Sequence, residues 1–268
     1  MLEHVLNLGN QLKTDLDTSE GFTSVDYQKI VIVGMGGSGV AGDVLKLILN
    51  QYTNIDVEVR KTYNLTKTQI AARPFCLFIS YSGNTEETIS AAKNAIDENL
   101  EWAAISSGGE LLDLASKHNK KFVKVPDGLQ PRAAFGLMTK AVVNYLPNQT
   151  KKIFINACEE AGNYLNNLTE DASNEVFEIS KNIANQIGTK TAVIYAGSDL
   201  TYLVAQRWKT QINENSKSKA YIGFMPEVHH NEILSWEADQ EGSKNNFILI
   251  LLRGCLLYTS PSPRDTEV

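Results

Sequence analysis

The sequence predicts an α/β protein with two domains, each built on a parallel sheet covered by helices on both faces. Two observations support this class. Short apolar or β-branched runs alternate with helical segments, and the connections between them are short. A strand–loop–helix unit also recurs along the chain at a spacing of 160 residues, from Ser38 to Ser198. These features predict two copies of one fold.

The first copy contains five strand-like runs between residues 29 and 126. The strands are "KIVIVG", "IDVEVR", "FCLFISY", "EWAAIS" and "KFVKVP". The helices between them are "GVAGDVLKLILN", "EETISAAKNAIDEN" and "ELLDLASKHNK". A parallel pair needs a crossover connection, and an intervening helix supplies one. The following segment, residues 138–187, is predicted to be mostly helical.

The second copy begins with the strand in "TAVIYAGSD". It continues with the helix "LTYLVAQRWKTQINENSK" and the strands "AYIGF" and "NNFILILLR". We therefore predict a first domain over residues 1–150 and a second over residues 151–253. The second sheet stops at its third strand, so this domain is predicted to be incomplete at its C-terminal end. Residues 254–268, "GCLLYTSPSPRDTEV", have no regular period and are predicted to be a non-native or disordered tail.

Composition excludes several classes of partner. The formal net charge of −6 and the sequence pI near 5.3 give no electrostatic reason for binding nucleic acid or an anionic membrane. The three cysteines, Cys76, Cys158 and Cys255, have no metal-like spacing. No signal peptide and no run long enough to span a membrane are evident, which predicts a cytoplasmic protein.

The loop after the first strand, in "VIVGMGGSGVAG", matches G-x-G-x-x-G. Glycines there let backbone N–H groups approach a phosphate at a helix N-terminus. Asp56 and Glu58 follow at about the distance that a dinucleotide site needs for its ribose-binding acid, about twenty residues. However, both lie within a predicted strand rather than at its end. This loop alone leaves a dinucleotide and a phosphosugar equally open.

The loop after the third strand favours the phosphosugar. "FISYSGNTEET" leaves a buried strand and opens a helix with four hydroxyl side chains around one glycine: Ser80, Ser82, Thr85 and Thr88. The alternative is an ordinary helix cap at Asn84 or Thr85 with a capping box. Capping needs only one hydroxyl, so the cluster predicts a site for a phosphate monoester.

These motifs give the chain a family resemblance. "GMGGSG", "SYSGNTEET" and "ISSGG" resemble the sugar isomerase (SIS) domain family, whose members are phosphosugar-binding αβα sandwiches with a five-stranded parallel sheet. "QPRAAFG", "QINENSK" and "MPEVHHNEILSW" make residues 1–253 resemble the bifunctional phosphoglucose/phosphomannose isomerases of bacteria and archaea. The resemblance implies an aldose–ketose isomerase of carbohydrate metabolism. It would interconvert glucose 6-phosphate, and mannose 6-phosphate, with fructose 6-phosphate through an enediolate.

The resemblance also assigns catalytic roles. Glu214 in "QINENSK" would be the base, although by itself it could be a solvated acid near a helix end. Arg132 would stabilise the enediolate charge, although a lone arginine in a loop is usually a surface ion pair. His230, directly before "NE", would open the sugar ring in the active site of the other subunit, which implies a homodimer. The adjacent His229 is predicted to be a surface residue.

The phosphate ligands follow from the same motifs. The side chains of Ser38, Ser80, Ser82 and Thr85 would bind the substrate phosphate, and Gly36 and Gly37 would contribute backbone N–H groups. The chemistry needs no cofactor, and no metal-binding pattern is present. The resemblance further implies a later helix with a catalytic lysine, for which this chain has no counterpart. A non-catalytic phosphosugar sensor would keep the hydroxyl cluster but would not need Glu214 or His230.

Overall fold

A computed structural model describes residues 2–19, 27–170 and 175–253. The chain forms two compact units, Met1–Asn174 and Glu175–Val268. The predicted tail, residues 254–268, lies outside the described residues. None of the described helices is long and apolar enough to cross a membrane.

The first unit contains six strands, five of which are the predicted ones with ends shifted by at most two residues. The sixth, β1, is a two-residue strand that the sequence did not predict. The strands are β1 (Asp17–Thr18), β2 (Lys29–Gly34), β3 (Asp56–Arg60), β4 (Phe75–Ile79), β5 (Trp102–Ser106) and β6 (Lys121–Lys124).

Eight α-helices connect or cover these strands in the first unit. A 3₁₀ turn, Pro131–Ala133, comes between the sixth and the seventh helix. The helices are α1 (Leu2–Leu6), α2 (Leu8–Lys13), α3 (Gly36–Tyr52), α4 (Lys67–Ala71), α5 (Glu86–Asp97), α6 (Gly109–Lys117), α7 (Phe135–Val143) and α8 (Asn148–Glu170).

The order of strands in the first sheet is β1-β6-β5-β4-β2-β3. All neighbouring pairs are parallel except β1 with β6. The strand that follows β2 in the chain lies on one side of it, and β4 lies on the other. The order in which successive strands are added to the sheet therefore reverses between β2 and β4, although the two strands are parallel. In open α/β sheets, ligands bind beyond the carboxyl ends of the strands at such a switch point.

The two faces of this sheet carry separate apolar cores. On one face, Ile32 packs in a cluster with Leu45 of α3 and Leu137 of α7. On the other face, Val33 packs in a cluster with Ile89 of α5 and Leu111 of α6. Alternate residues of one buried strand therefore serve opposite faces. This arrangement explains why the strands are continuous apolar runs, and it confirms the predicted three-layer architecture.

The structure divides the chain after α8, whereas the sequence predicted a boundary at residue 150. The reason is close packing of α8 on the N-terminal helix α2. A Cβ atom at Gly162 would lie 2.7 Å from the carbonyl oxygen of Gly9 and 2.5 Å from Lys13 Cγ. Two glycines thus let the helix backbones approach closely, so α8 belongs to the first unit.

The second unit repeats the start of the same topology. Its three strands have the order β8-β7-β9 and are all parallel. The strands are β7 (Thr191–Ala196), β8 (Ala220–Phe224) and β9 (Phe247–Leu252). The helices are α9 (Glu175–Ile187), α10 (Asp199–Gln211), α11 (Val228–Asn231), α12 (Ile233–Ala238) and α13 (Gln240–Asn246), with a π-helical turn at Ile212–Ser216.

The contact between α2 and α8 gives a test with an unusual sign. At an exposed helical position, replacing glycine by alanine stabilises a protein by about 0.5–1 kcal/mol. We expect Gly162→Ala to destabilise the first unit by about 1–3 kcal/mol instead, because the added methyl group separates two packed helices. Urea unfolding measures the difference. Ala161→Gly, at an exposed neighbouring position, should cost only about 1 kcal/mol. A stabilised Gly162→Ala variant would contradict the packing.

Candidate active site

Helix α3 begins directly at the carboxyl end of β2, within the predicted glycine loop. Gly36 is the first residue of this helix and has φ of +50°, a conformation that glycine adopts without strain. The N-cap residue, Met35, offers no side-chain hydrogen bond to the first turn. The first N–H groups of α3 therefore have no side-chain cap, and the positive end of the helix dipole lies at the switch point.

The same situation occurs after β4. Thr85 is the N-cap residue of α5, and its side chain makes no capping hydrogen bond. Asn84, the other candidate cap, accepts a hydrogen bond from the N–H of Glu110 in the neighbouring helix α6 instead (3.0 Å). The hydroxyl cluster is therefore not explained by helix capping, which was the alternative interpretation of this motif.

A hydrogen bond joins the two loops. The backbone N–H of Tyr81 donates to Ser38 Oγ over 3.0 Å, and Ser38 is only 5% exposed. A serine hydroxyl that accepts one hydrogen bond still has its own hydrogen to donate. Ser38 is therefore held by one loop and retains a donor for a ligand.

The hydroxyls after β4 differ in their surroundings. Ser80 is fully buried, its Oγ lies 2.8 Å from Thr85 Oγ1, and it accepts a hydrogen bond from the N–H of Gly83 (3.1 Å). Ser82 is exposed, and its Oγ accepts a long bond of 3.3 Å from the N–H of Asn84. Ser80 thus supports the loop and orients Thr85, while Ser82 faces outward. Phosphate contacts by these side chains stay predictions.

Arg132 lies beside the glycine loop. It is half-buried in the 3₁₀ turn that precedes α7. A Cβ atom at Gly37 would lie 3.0 Å from the carbonyl oxygen of Pro131 and 3.8 Å from Arg132 Cα. Gly37 therefore lets this turn approach the N-terminus of α3. Six of the nine predicted site residues lie at one end of the first sheet, and the turn that contains Arg132, a seventh, lies beside them. The six are Gly36, Gly37, Ser38, Ser80, Ser82 and Thr85.

The loop after β5, which contains the predicted "ISSGG" motif, supports the loop after β4. Ser107 donates to the carbonyl oxygen of Tyr81 through both its backbone N–H (2.9 Å) and its hydroxyl (2.7 Å). Gly83 has φ of +73° and packs against the Gly108 backbone so closely that a side chain there would clash. The motif therefore shapes the hydroxyl loop.

Asp56 and Glu58, the candidate ribose-binding acids of a dinucleotide site, both form hydrogen bonds with other side chains of this unit. Asp56 accepts a hydrogen bond from Lys29 Nζ over 2.7 Å, and Glu58 accepts one from the buried side chain of Gln69. Both lie inside β3 rather than beyond its carboxyl end. Neither carboxylate is placed to bind a ribose at the switch point.

Glu214 lies in the second unit, in the π-helical turn that extends α10. It is half-buried. Burial lowers the pKa of the Arg207 guanidinium, and the nearby Glu214 carboxylate opposes that shift. Single π-helical turns occur frequently at functional sites. Glu214 is thus a half-buried carboxylate that interacts with the Arg207 guanidinium.

His230 and His229 lie in α11, the short helix after β8, and both are exposed. The residues that directly follow α11 are anchored to β7 by hydrogen bonds. Tyr195 in β7 donates to Glu232 Oε2 over 2.7 Å and accepts a hydrogen bond from Trp236 Nε1 over 2.8 Å. His230 is therefore presented outward by a fixed segment.

Glu214 and His230 flank opposite ends of strand β8 in the chain. His230 follows the carboxyl end of β8, whereas Glu214 precedes the start of that strand. Helix α10 has 13 residues and is therefore about 20 Å long. It returns the chain from the carboxyl end of β7 to the amino end of β8. We therefore expect the two side chains not to share a site within one copy of the second unit.

The sequence did not predict the structural roles of two buried residues that bind the segment around Arg132. Tyr81 belongs to the "SYSGNTEET" motif, but the motif does not indicate which groups its hydroxyl contacts. Gln11 is a polar residue at a core-facing position of α2, and it is only 3% exposed. The burial of Gln11 is visible only in the structure, so its role as a structural partner was not predictable from the sequence.

Comparison with known proteins shows the family of this chain. The SIS domain model matches residues 25–125. The model for the bacterial phospho-glucose isomerase C-terminal SIS domain matches residues 178–257. A bifunctional phosphoglucose/phosphomannose isomerase of Aquifex aeolicus is 37% identical over 228 residues, which cover 84% of this chain and 67% of that protein. The chain belongs to the family of bifunctional phosphoglucose/phosphomannose isomerases.

Two further relatives and one solved structure are also similar to this chain. A protein of the same description from Thermoplasma acidophilum is 38% identical, with coverage of 86% of this chain and 70% of its own. A D-glucosamine-6-phosphate 4-epimerase of Sulfolobus acidocaldarius is 33% identical, with coverage of 84% and 68%. The C-terminal domain of glucosamine-fructose-6-phosphate aminotransferase from Francisella tularensis has a similar fold. It has a TM-score of 0.60 at 15% identity, with coverage of 94% of this chain and 74% of that one.

Proposed function

We propose that this chain interconverts glucose 6-phosphate and mannose 6-phosphate with fructose 6-phosphate. The observation that supports this most is the convergence at the switch point. Two helix N-termini without side-chain caps lie beside the hydroxyls of Ser38, Ser82 and Thr85, with the turn of Arg132 next to them. N–H groups, hydroxyls and a guanidinium suit a phosphate monoester joined to a carbon chain that develops negative charge.

The proposed reaction moves one proton between two carbons. His230 transfers a proton between O1 and the ring oxygen, which opens the hexose ring. The Glu214 carboxylate then removes the proton from C2, and the electron pair forms the C1–C2 double bond of an enediolate while O1 takes up negative charge. Arg132 stabilises that charge. For the ketose, the hydroxyl proton passes from O2 to O1 and the carbon-bound proton returns to C1, which leaves a carbonyl at C2. For the mannose epimer, O2 keeps its proton, the carbon-bound proton returns to the other face of C2 and the C1 carbonyl re-forms.

The positions of Glu214 and His230 support a homodimer with shared sites. Because Glu214 precedes β8 and His230 follows it, one copy is not expected to supply both side chains to the same substrate. In a two-fold symmetric dimer, His230 of each copy can instead reach the site of the other.

A first test measures isomerisation with and without the base. We expect this chain to form fructose 6-phosphate from glucose 6-phosphate in deuterium oxide with deuterium incorporation at the exchanged carbon. Glu214→Gln should lower kcat by at least about 10³-fold, because the amide cannot accept the proton. Glu237→Gln, at an exposed position in the same unit, should leave the rate unchanged. Tight binding of hexose 6-phosphate without turnover would favour the sensor, and an unchanged rate in Glu214→Gln would exclude this base.

A second test concerns the shared site. Glu214→Gln and His230→Ala should each be nearly inactive alone. Coexpressed in equal amounts, they should regain about a quarter of the parental rate, because half of the dimers are mixed and one of the two sites in each is intact. A mixture that stays as inactive as its components would show that both residues act within one copy.

A third test separates ligand binding from helix capping. Thr66 caps α4 in a complete capping box with Gln69, whereas the Thr85 hydroxyl caps nothing. We expect Thr85→Val to weaken the affinity for inorganic phosphate by about tenfold, the worth of one charge-assisted hydrogen bond. Thr66→Val should cost about 1 kcal/mol of stability and leave phosphate affinity unchanged. Calorimetry and urea unfolding measure the two quantities. Equal phosphate affinity in both variants would remove Thr85 from the site.

A further inference from the structure

Tyr81 is a buried residue to which the proposed mechanism gives no task. It follows β4 directly, and only 4% of it is exposed. Its hydroxyl donates to the carbonyl oxygen of Pro126 and accepts the backbone N–H of Leu129, each over 3.0 Å. Both partners belong to the connection between β6 and the turn that carries Arg132. The Tyr81 hydroxyl therefore holds the Pro126 and Leu129 backbones of this connection together.

The backbone of Tyr81 joins two further loops. Its N–H donates to Ser38 Oγ (3.0 Å), and its carbonyl oxygen accepts from the N–H of Ser107 (2.9 Å). The loops after β2, β5 and β6 are thus all hydrogen-bonded to one residue in the loop after β4. Tyr81 connects the phosphate end of the proposed site with the segment that leads to Arg132.

The far side of the Arg132 turn is held by Gln11 of α2. The Gln11 side-chain amide donates to the carbonyl oxygen of Ala133 over 3.0 Å, and its oxygen accepts the N–H of Gly136 over 3.0 Å. The second bond caps the first turn of α7, whose own N-cap residue Ala134 has no polar side chain. Arg132 therefore lies between two fixed points, one at Tyr81 and one at Gln11.

We propose that Tyr81 is a positioning residue for Arg132, and that it fixes the guanidinium relative to a phosphate bound at Ser38. This role rests on the isomerase function proposed above. A charge stabiliser displaced by about 1 Å costs an enzyme about 100-fold in rate. A buried hydroxyl with both a donor and an acceptor partner limits such displacement.

Burial keeps this hydroxyl in one state. Desolvation raises the pKa of Tyr81, and the negative charge of Asp127 adds to that effect, while the hydrogen bond from Leu129 opposes it. The hydroxyl therefore remains protonated at neutral pH and keeps its bond to Pro126.

The test compares two tyrosines of the first unit. Tyr81→Phe removes the hydroxyl but keeps the backbone bond to Ser38. We expect kcat for glucose 6-phosphate to fall by roughly 10- to 100-fold, with KM and the Kd of inorganic phosphate changed by less than about threefold. Tyr145→Phe is the matched control, because the fully buried Tyr145 hydroxyl donates to the carbonyl oxygen of Ala104 (2.9 Å) within the core. It should lose comparable stability and keep its kcat. Equal kcat values for the two variants would overturn the proposal.

A double-mutant cycle tests whether Tyr81 acts through Arg132. In an Arg132→Ala background, Tyr81→Phe should lower kcat no further, because the group that it positions is already absent. If Tyr81→Phe lowers kcat by the same factor in both backgrounds, its effect is independent of Arg132 and the proposal is wrong.

A binding experiment separates this proposal from the isomerase proposal. If the unsubstituted chain shows no turnover, the isomerase proposal fails by itself. The probe is then a phosphorylated aldonic acid one carbon shorter than the substrate, whose carboxylate mimics the enediolate charge. Tyr81→Phe should weaken this ligand about tenfold and leave inorganic phosphate unaffected. Weakening of both ligands by the same factor, or of neither, would overturn the role of Tyr81.

Discussion

The reversal of strand order between β2 and β4 is the constraint on which the proposed site depends. The chain leaves β2 into α3 on one face of the sheet and leaves β4 into α5 on the other, as the two separate cores show. The two helices therefore diverge, and a crevice opens between their N-termini. The hydrogen bond from the Tyr81 N–H to Ser38 Oγ links the end of β4 to the start of α3 at this point.

The two copies of the fold begin the helix after their first parallel strand in different ways. The repeat seen in the sequence aligns Ser198 with Ser38, but Ser198 is the N-cap residue of α10 and forms a complete capping box with Thr201, whereas Ser38 is the third residue of α3. The Ser198 hydroxyl is therefore used by its own helix. In the first unit, Met35 and Thr85 leave the starts of α3 and α5 without side-chain caps. The start of α10 is stabilised by a side-chain cap, whereas the starts of α3 and α5 keep uncapped N–H groups, which is where we propose that the substrate phosphate binds.

Much of the site was predictable because its residues are close in sequence. The hydroxyls from Ser80 to Thr85 occur within a few positions after a strand, and the parallel sheet brings their loop to that of Ser38. The difference in burial between these hydroxyls was not predictable. Ser80 is enclosed and Ser82 is exposed, although both are serines in one short loop. That difference depends on Gly83 and its contact with the next loop along the sheet.

The sequence by itself determined the class of fold, the strands, and the local chemistry of the loops. Apolar and β-branched periods are local signals, and parallel strands are the arrangement that they allow. Only the tertiary structure decided which distant groups meet. The pairing of β1 with β6 involves only two residues of each strand. The hydrogen bonds between Gln11 and the start of α7 span more than a hundred positions. Such contacts leave no period in the sequence, because they depend on side-chain geometry after the sheet has formed. For the same reason, the assignment of α8 to the first unit required its packing on α2.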